Sequence, residues 1–338
     1  MEKNKKPHAL YFEELKALEP AYRYDGKESF AEWQKRARAR LISLIGLDKL
    51  TPAADDVFTV ESVTEEETYT DYCLSFQSEE GYFVPCNLWV PKGKEGKLPL
   101  VICLQGHSSG RHISMGKPIY PGDEGLISGG DRDFAVQIVR EGYCALAIEQ
   151  RNFGECGATD KGATACQVPS MTALLYGRTT IGSRVLDISR AIDVVTKNFD
   201  FLDTDKISLM GNSGGGTATI YASAIDERIS LSMPSCALCS FKESIGAKQH
   251  CTCNFIPGIA LDFDMGDLCG LIAPRKLIVV SGVNDWGFMH PGVVESVDIA
   301  KTYYEAAGVP ERIEWVAGPE GHRFYADLSW PVFHSFFD

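Results

Sequence analysis

Hydrophobic and polar residues alternate between Val57 and Val90, whereas beyond residue 99 the hydrophobic residues gather into short, continuous runs. The alternation, interrupted by Glu-Glu-Gly at residues 79–81, predicts antiparallel strands with a hairpin turn. The later runs are separated by segments with helical spacing, which predicts βαβ units and a mostly parallel sheet flanked by helices. The predicted strands of that sheet are Leu100–Leu104, Tyr143–Ile148, Ile207–Met210, Ile229–Met233, Leu277–Val280 and Ile313–Val316.

The intervening segments and the N-terminal region carry the helical spacing. The predicted helices of the sheet region are Asp131–Glu141, Ile181–Asn198, Gly214–Ile225, Gly292–Ala307 and a last one near Leu328–Phe337. Residues 9–50 are also helical in pattern, with an amphipathic stretch that ends at Gly46. We therefore predict an α/β fold with a helical N-terminal extension over residues 1–52 and one α/β domain over residues 53–338. The extension packs on the domain or contributes to assembly, so a homo-oligomer is one expectation.

Composition narrows the classes of partner. The formal net charge of −13 argues against nucleic acid and anionic membranes, because both require basic patches. Residues 1–8 are charged but are followed by no apolar segment of the kind that signal peptides contain, and no run is long enough to span a bilayer. We therefore expect a cytoplasmic protein.

One segment has the pattern of a catalytic turn. Residues 211–215 match G-x-S-x-G, in which a sharp strand-to-helix turn exposes the hydroxyl of a serine, here Ser213. Glycine is expected two residues before and after the serine because a β-carbon there would collide with the neighbouring strand or helix. The start of the helix would direct the backbone N–H of Gly214 toward an oxyanion. Taken alone, the pattern also fits a glycine-rich turn with an incidental serine.

A nucleophilic serine needs a histidine base and a carboxylate that orients the base. In α/β-hydrolases the acid follows the serine in the chain and the histidine comes last. Asp285 follows the predicted strand Leu277–Val280, and His322 follows the last predicted strand, so we predict the triad Ser213, Asp285 and His322. His290 is an alternative base, and Asp285 could instead cap a turn. The alternative acids, which precede the strand, are Asp262, Asp264 and Asp267.

A second oxyanion donor is expected directly after the run Leu100–Leu104. The backbone N–H of His107 is our candidate, and the side chain of His107 is interpreted as a pocket wall or a hydrogen-bond partner. The further candidates for the substrate pocket are Gln105, Asn212 and Trp286. Two long connections, residues 105–130 and 152–180, follow strand ends and are predicted to line the mouth of the pocket.

The chain has eleven cysteines, an odd number that leaves at least one unpaired within it. Cys236, Cys239, Cys251 and Cys253, with His250, form a cluster in the sequence whose residue types suit zinc. The C-x-C spacing of the second pair is not that of a zinc knuckle. A metal site, a disulfide or redox pair, and reduced structural thiols are the alternatives, and we predict no metal.

With these residues placed, the sequence resembles the α/β-hydrolase superfamily and, within it, the acetyl xylan esterase-like branch related to dienelactone hydrolases. The resemblance covers residues 30–338, and residues 105–107 stand where relatives have His-Gly-aromatic. Residues 150–155 resemble the Asp-x-Arg-Gly-Phe-Gly-Glu turn of the branch, with Asn152 in place of the glycine. The other similar segments are Met171–Thr179, His250–Gly258 and Ile272–Lys276. Dienelactone hydrolases proper use a cysteine nucleophile, so Ser213 argues for ordinary ester hydrolysis.

The resemblance implies a serine esterase that hydrolyses short-chain acyl esters, acetyl first, of carbohydrates or similar alcohols. It implies a small-molecule ester as substrate and neither a metal nor an organic cofactor. It also implies that the Cys-His segment is a structural part of the loops of this branch. The alternatives are a thioesterase, methyl esterase or peptidase on the same triad, a catalytically silent hydrolase fold, and a Cys/His metal-binding protein.

Overall fold

The computed structural model describes residues 5–54, 57–157 and 165–337. Within these ranges nine strands form one sheet. The strands are β1 (Phe58–Glu65), β2 (Tyr69–Glu79), β3 (Tyr82–Pro91), β4 (Leu98–Leu104), β5 (Cys144–Ile148), β6 (Leu202–Asn212), β7 (Ile229–Ser235), β8 (Lys276–Gly282) and β9 (Ile313–Gly318). The helices are α1 (Pro7–Lys16), α2 (Phe30–Leu44), α3 (Asp123–Ile127), α4 (Phe134–Arg140), α5 (Gln167–Leu174), α6 (Thr180–Asn198), α7 (Gly214–Ile225), α8 (Ile259–Asp262), α9 (Met265–Gly270), α10 (His290–Ala306) and α11 (Ala326–Phe337).

The strand order is β1-β2-β3-β5-β4-β6-β7-β8-β9. The β1–β2, β2–β3 and β3–β5 pairs are antiparallel, and the remaining pairs are parallel. This arrangement confirms the predicted mostly parallel sheet, including the hairpin at residues 79–81. The register pairs Leu104 with Gly211 and Gly282 with Gly318. The loops that follow β4, β6, β8 and β9 therefore leave the sheet at the same edge, where open α/β sheets place their ligand sites.

Alternate residues of each central strand enter different hydrophobic layers. In β4, Leu100 and Ile102 face the larger layer, which includes α2, α6, α7, α9 and α10, whereas Val101 and Cys103 face the layer with α4 and α11. A sheet covered on both faces explains why the parallel strands read as continuous hydrophobic runs. None of the helices in the described residues combines the length and the apolar character needed to cross a membrane.

The helical pattern of residues 9–50 corresponds to two helices, α1 and α2. Helix α2 begins with a capping box between Ser29 and Glu32. Its buried residues Trp33, Ala37 and Leu41 belong to the same hydrophobic core as the sheet. The predicted boundary at residue 52 therefore divides the sequence but not the hydrophobic core, which includes residues on both sides of it.

Candidate active site

Ser213 lies in the turn between β6 and α7 with φ +55° and ψ −118°. This region is strained for a residue with a β-carbon, and such strain amounts to about 1–3 kcal/mol. The Ser213 N–H donates to Ser235 O at 2.8 Å, which fixes the turn to the end of β7. A β-carbon at Gly211 would lie 2.6 Å from the carbonyl carbon of Gly215, and one at Gly215 would collide with Leu104 O. The two glycines are therefore required for the steric reason that the sequence pattern suggested.

His322 and Asp285 lie side by side at the same edge of the sheet. His322 Nδ1 is 2.8 Å from Asp285 Oδ2. Asp285 Oδ1 accepts hydrogen bonds from the N–H groups of Gly287 at 2.7 Å and Phe288 at 3.2 Å, and its side chain is 1% exposed. Because the carboxylate engages Nδ1, Nε2 is the nitrogen of His322 that can exchange a proton with a reacting group.

The charge state of Asp285 follows from its neighbours. Burial alone would raise the pKa of this carboxyl, but the hydrogen bond and charge of His322 and the N–H groups of Gly287 and Phe288 outweigh it. The pKa of Asp285 therefore lies below its ordinary value, and the group is ionised at neutral pH. Next to it, burial and then the charge of Asp285 raise the pKa of the Cys236 thiol to about 12, so this thiol is neutral.

The predicted oxyanion loop lies against the serine turn. A β-carbon at Gly106 would be 3.1 Å from Ser213 Cβ, and one at Gly214 would be 2.6 Å from two atoms of the His107 ring. The structure thus brings together the two backbone segments that carry the candidate donors, the N–H groups of His107 and Gly214.

A cavity of about 400 Å³ opens at this point. Its wall is formed by Ser213, His322, His107, Trp286, Arg132, Gln249, His250, Cys251, Asn254, Gly287 and Phe288. Trp286 is 70% exposed and its ring centroid is 6.1 Å from that of His322. The cavity therefore contains both the candidate nucleophile and the candidate base, with a tryptophan at its rim.

Two of the predicted pocket residues do not line the cavity. Gln105 and Asn212 are fully buried beneath it. Gln105 Nε2 donates to Glu149 Oε1 at 2.8 Å, and Asn212 Nδ2 donates to Ser235 Oγ at 3.2 Å. Both side chains are therefore engaged in buried hydrogen bonds at the strand ends and do not form part of the cavity wall.

The alternative acids and base are engaged elsewhere. Asp262 pairs with Arg40, Asp264 caps the start of α9, and Asp267 pairs with Arg23. His290 begins α10, and its ring stacks on that of Trp315 with centroids 5.7 Å apart. Asp285 makes both of the interactions considered from the sequence. Its Oδ1 caps a turn by accepting N–H groups, and its Oδ2 contacts His322.

Sequence reasoning missed Arg132, which lines the cavity just before α4. Arg132 Nη2 donates to His322 O at 2.7 Å, so the guanidinium holds the backbone of the candidate base. Burial lowers the pKa of Arg132. No motif marks this residue, and the sequence pattern placed it in the predicted helix Asp131–Glu141, just after the long connection that follows β4.

The model of the acetyl xylan esterase family AXE1 matches residues 51–251, more than half of the chain. The chain belongs to the AXE1 family. YtaP of Bacillus subtilis (strain 168), named as a hydrolase, is 27% identical over 296 residues, which are 84% of this chain and 92% of YtaP. The 4-O-methyl-glucuronoyl methylesterase of Phanerochaete carnosa (strain HHB-10118-sp) is 30% identical over 196 residues, 48% of each chain.

Among solved structures, the acetyl xylan esterase BF1801 of Bacteroides fragilis NCTC 9343 superimposes with a TM-score of 0.80 and 18% identity. The match covers 98% of this chain and 95% of that one, and it shows a common α/β-hydrolase fold. The resemblance expected from the sequence is thereby confirmed, and this AXE1 member is an ester hydrolase that belongs with the carbohydrate esterases.

In the AXE1 member a second buried carboxylate, Glu149, contacts Gln105 at the start of the predicted oxyanion loop. Glu149 is buried and accepts hydrogen bonds from Gln105 Nε2 and from the Arg111 N–H, and Arg111 Nη1 lies 3.4 Å from it. Glu155 shares the same guanidinium. Burial raises the pKa of Glu149 to about 7, although the charge of Arg111 opposes that rise.

The cysteines do not group as the sequence suggested. Cys236 Sγ donates to Arg323 O, and Cys239 Sγ donates to Met289 O. His250 Nε2 is hydrogen-bonded to Gly287 O. Cys251 and Cys253 instead lie beside His107 and Cys166. Closeness in sequence was misleading here because residues 236–239 directly follow β7, whereas residues 251–253 belong to a loop that contributes to the cavity wall.

Proposed function

We propose that this AXE1 member is a serine esterase that removes short acyl groups, acetyl first, from carbohydrates or similar alcohols. The observation that carries the proposal is the 2.8 Å contact between His322 Nδ1 and Asp285 Oδ2, with His322 and Ser213 on the wall of one cavity. The residue types, their order in the chain and the strained conformation of Ser213 fit the roles of nucleophile, base and orienting acid.

In the proposed reaction, Ser213 Oγ attacks the ester carbonyl while His322 Nε2 takes the serine proton. Asp285 holds the imidazole in the required tautomer and stabilises the imidazolium. The N–H groups of Gly214 and His107 bind the oxyanion, and each contributes about 3 kcal/mol. His322 then protonates the leaving alcohol, and water releases the carboxylic acid from the acyl-enzyme by the same steps.

The rim of the cavity supports a carbohydrate substrate. Trp286 presents a largely exposed aromatic face next to His322, and an aromatic ring of this kind can pack against the apolar face of a sugar. The proposal includes a cytoplasmic location, because thiols such as Cys103 and Cys144 are buried as small hydrophobic residues and a reducing compartment preserves them.

The test is the hydrolysis of p-nitrophenyl acetate, acetylated xylo-oligosaccharides and longer acyl esters by wild type and Ser213→Ala. We expect the variant to fold normally and to lose at least about a thousandfold in kcat/KM. Labelling by a fluorophosphonate should disappear with the same substitution, and Ser335→Ala, on the surface of α11, should retain both properties. Turnover by Ser213→Ala close to that of wild type would refute the proposal.

A second candidate is a methylesterase that acts on glucuronoyl esters. It is favoured by the similarity to the Phanerochaete carnosa enzyme and by Arg132 on the cavity wall, whose positive charge would stabilise a uronate product. In this case the sugar supplies the acyl group and methanol leaves. Comparison of kcat/KM for methyl glucuronate esters and for acetylated xylo-oligosaccharides separates the two candidates.

A further inference from the structure

Three thiols and an imidazole converge at the wall of the active-site cavity, to which His107 and Cys251 belong. His107, Cys166, Cys251 and Cys253 each offer one ligand atom, and these four atoms all lie within 4.8 Å of one another. His107 Nε2 is 3.1 Å from Cys253 Sγ, and the Sγ atoms of Cys251 and Cys253 are 3.3 Å apart. The ligand atoms come from three separate segments, which follow β4, precede α5 and follow β7.

The spacing of these atoms fits a tetrahedral metal better than a disulfide. Zinc binds thiolate sulfur at about 2.3 Å and imidazole nitrogen at about 2.0–2.1 Å, so tetrahedral ligand atoms are roughly 3.5–3.8 Å apart. The four residues form a Cys₃His set, one of the common combinations of ligands in structural zinc sites. A disulfide would require about 2.05 Å between two sulfurs, well below the 3.3 Å between Cys251 and Cys253.

The charge around the cluster is also that expected of a metal centre. Arg184 is buried, and its Nη1 lies 3.8 Å from Cys253 Sγ. Its other nitrogens donate to Arg151 O, and its guanidinium lies over the ring of Phe153. Across residues 5–54, 57–157 and 165–337, no carboxylate forms an ion pair with Arg184. Burial of a cation without an anionic partner is strongly unfavourable.

We propose that His107, Cys166, Cys251 and Cys253 bind a structural zinc ion. On binding, Zn²⁺ displaces the protons of three thiols and is also bound by the neutral Nε2 of His107, which gives a centre of net charge −1. This charge complements that of Arg184. Four protein ligands leave no position for water or substrate, so the ion stabilises structure and takes no part in the chemistry.

The site would also position the oxyanion loop. With Nε2 bound to zinc, the ring of His107 is held in place against Gly214, and the backbone N–H of the same residue is the candidate donor to the oxyanion. This consequence for turnover rests on the proposed function, whereas the metal site itself does not. His107 is a positioning residue through its side chain, and its imidazole is not available as a base.

The experiment begins with metal analysis of wild type purified without added zinc, for which we expect about one zinc ion per chain. Cys166→Ser and Cys253→Ser should each lose most of it. The matched control is Cys73→Ser, a half-buried cysteine outside the cluster, which should keep the zinc. Ser213→Ala should also keep the zinc while it loses esterase activity, so that failure of the metal proposal and failure of the proposed function are distinguishable.

A second measurement does not depend on whether the cysteine variants fold. Wild type stripped of metal by a chelator and reconstituted with Co²⁺ should show the visible bands of tetrahedral cobalt and a thiolate charge-transfer band. Its unfolding temperature should fall on stripping and recover on addition of zinc. The proposal would be overturned if wild type contained no metal as purified and showed no cobalt bands after addition of Co²⁺. It would also be overturned if alkylation and mass spectrometry found a disulfide among these cysteines.

Discussion

The imidazole ring of His107 lies against the α-carbon of Gly214, so that a β-carbon at position 214 would be 2.6 Å from both Cε1 and Nδ1 of the ring. Gly214 is the residue directly after Ser213, and its N–H is the first candidate oxyanion donor. The contact joins two backbone segments that must be close together to bind one oxygen. It also gives Gly214 a steric role different from those of Gly211 and Gly215, which are crowded by backbone atoms.

Gly214→Ala should therefore damage catalysis more than folding. The new methyl group would push His107 and its backbone N–H away from the oxyanion, and kcat should fall about a hundredfold or more with little change in KM. The measurement is steady-state hydrolysis of p-nitrophenyl acetate together with thermal unfolding. Gly125→Ala is the control, because a β-carbon at Gly125 meets no atom within 4 Å. An unchanged kcat in Gly214→Ala would argue against this oxyanion site.

Alanine variants of two histidines distinguish the candidate bases. His322→Ala should lose at least about a thousandfold in kcat/KM, because the serine proton then has no acceptor. His290→Ala should keep activity within a few-fold, because its ring packs on Trp315 at the start of α10. The reverse result, with loss only in His290→Ala, would overturn the choice of His322.

Asp285→Asn should reduce kcat by roughly 10³–10⁴-fold, because an amide in place of the carboxylate favours the wrong tautomer of His322 and cannot stabilise the imidazolium. The ionised carboxylate is available down to acid pH, since the pKa of Asp285 lies below its ordinary value. Asp262→Asn, which removes an ion pair with Arg40, is the matched control and should retain kcat. Equal losses in the two variants would indicate a structural effect common to both.

Glu149→Gln should change the pH dependence of stability. The pKa of Glu149 is raised from its ordinary value of 4.5 to about 7, so the folded protein holds this proton more tightly than the unfolded chain does. The resulting stabilisation is full below pH 4.5 and is lost as the pH rises toward 7. The free energy of unfolding of wild type, measured in urea, should fall across that window relative to Glu149→Gln by on the order of 3 kcal/mol.

The control for this experiment is Glu155→Gln, which removes the exposed carboxylate that shares Arg111. In this variant the free energy of unfolding should still fall between pH 4.5 and 7, as it does in wild type. A wild-type stability that rises with pH relative to Glu149→Gln would show that Arg111 keeps Glu149 ionised.

The parallel strands, the loops that follow them and the long helices could be predicted from the sequence because the sheet is buried on both faces. Its parallel strands are continuous hydrophobic runs, and the glycines around Ser213 mark where β6 ends and α7 begins. The short helices α3, α5, α8 and α9 were not predicted, since one or two helical turns give too few positions to establish a spacing. Helix α4 is also short, but it was predicted because it lies within a longer segment of helical pattern, Asp131–Glu141.

The parts of the site that could not be predicted depend on contacts between distant segments. Cys253 and His107 are 146 residues apart in the chain. No pattern in either segment indicates that the two are in contact. Cys236 and Cys239 are closer to Cys253 in the sequence and were therefore grouped with it. The direction of the Gln105 and Asn212 side chains was equally hidden, because it depends on how each strand leaves the sheet.

Helix α2 has a consequence for how this enzyme could be divided. Gln34 Nε2 donates to Gly270 O and Ala273 O, and Arg38 donates to Ala224 O and Leu271 O. These carbonyl groups lie at the ends of α7 and α9, so the helix completes their hydrogen bonding as well as their packing. Exchange of residues 1–52 between relatives would therefore have to preserve these pairs, and the segment is not a transferable module.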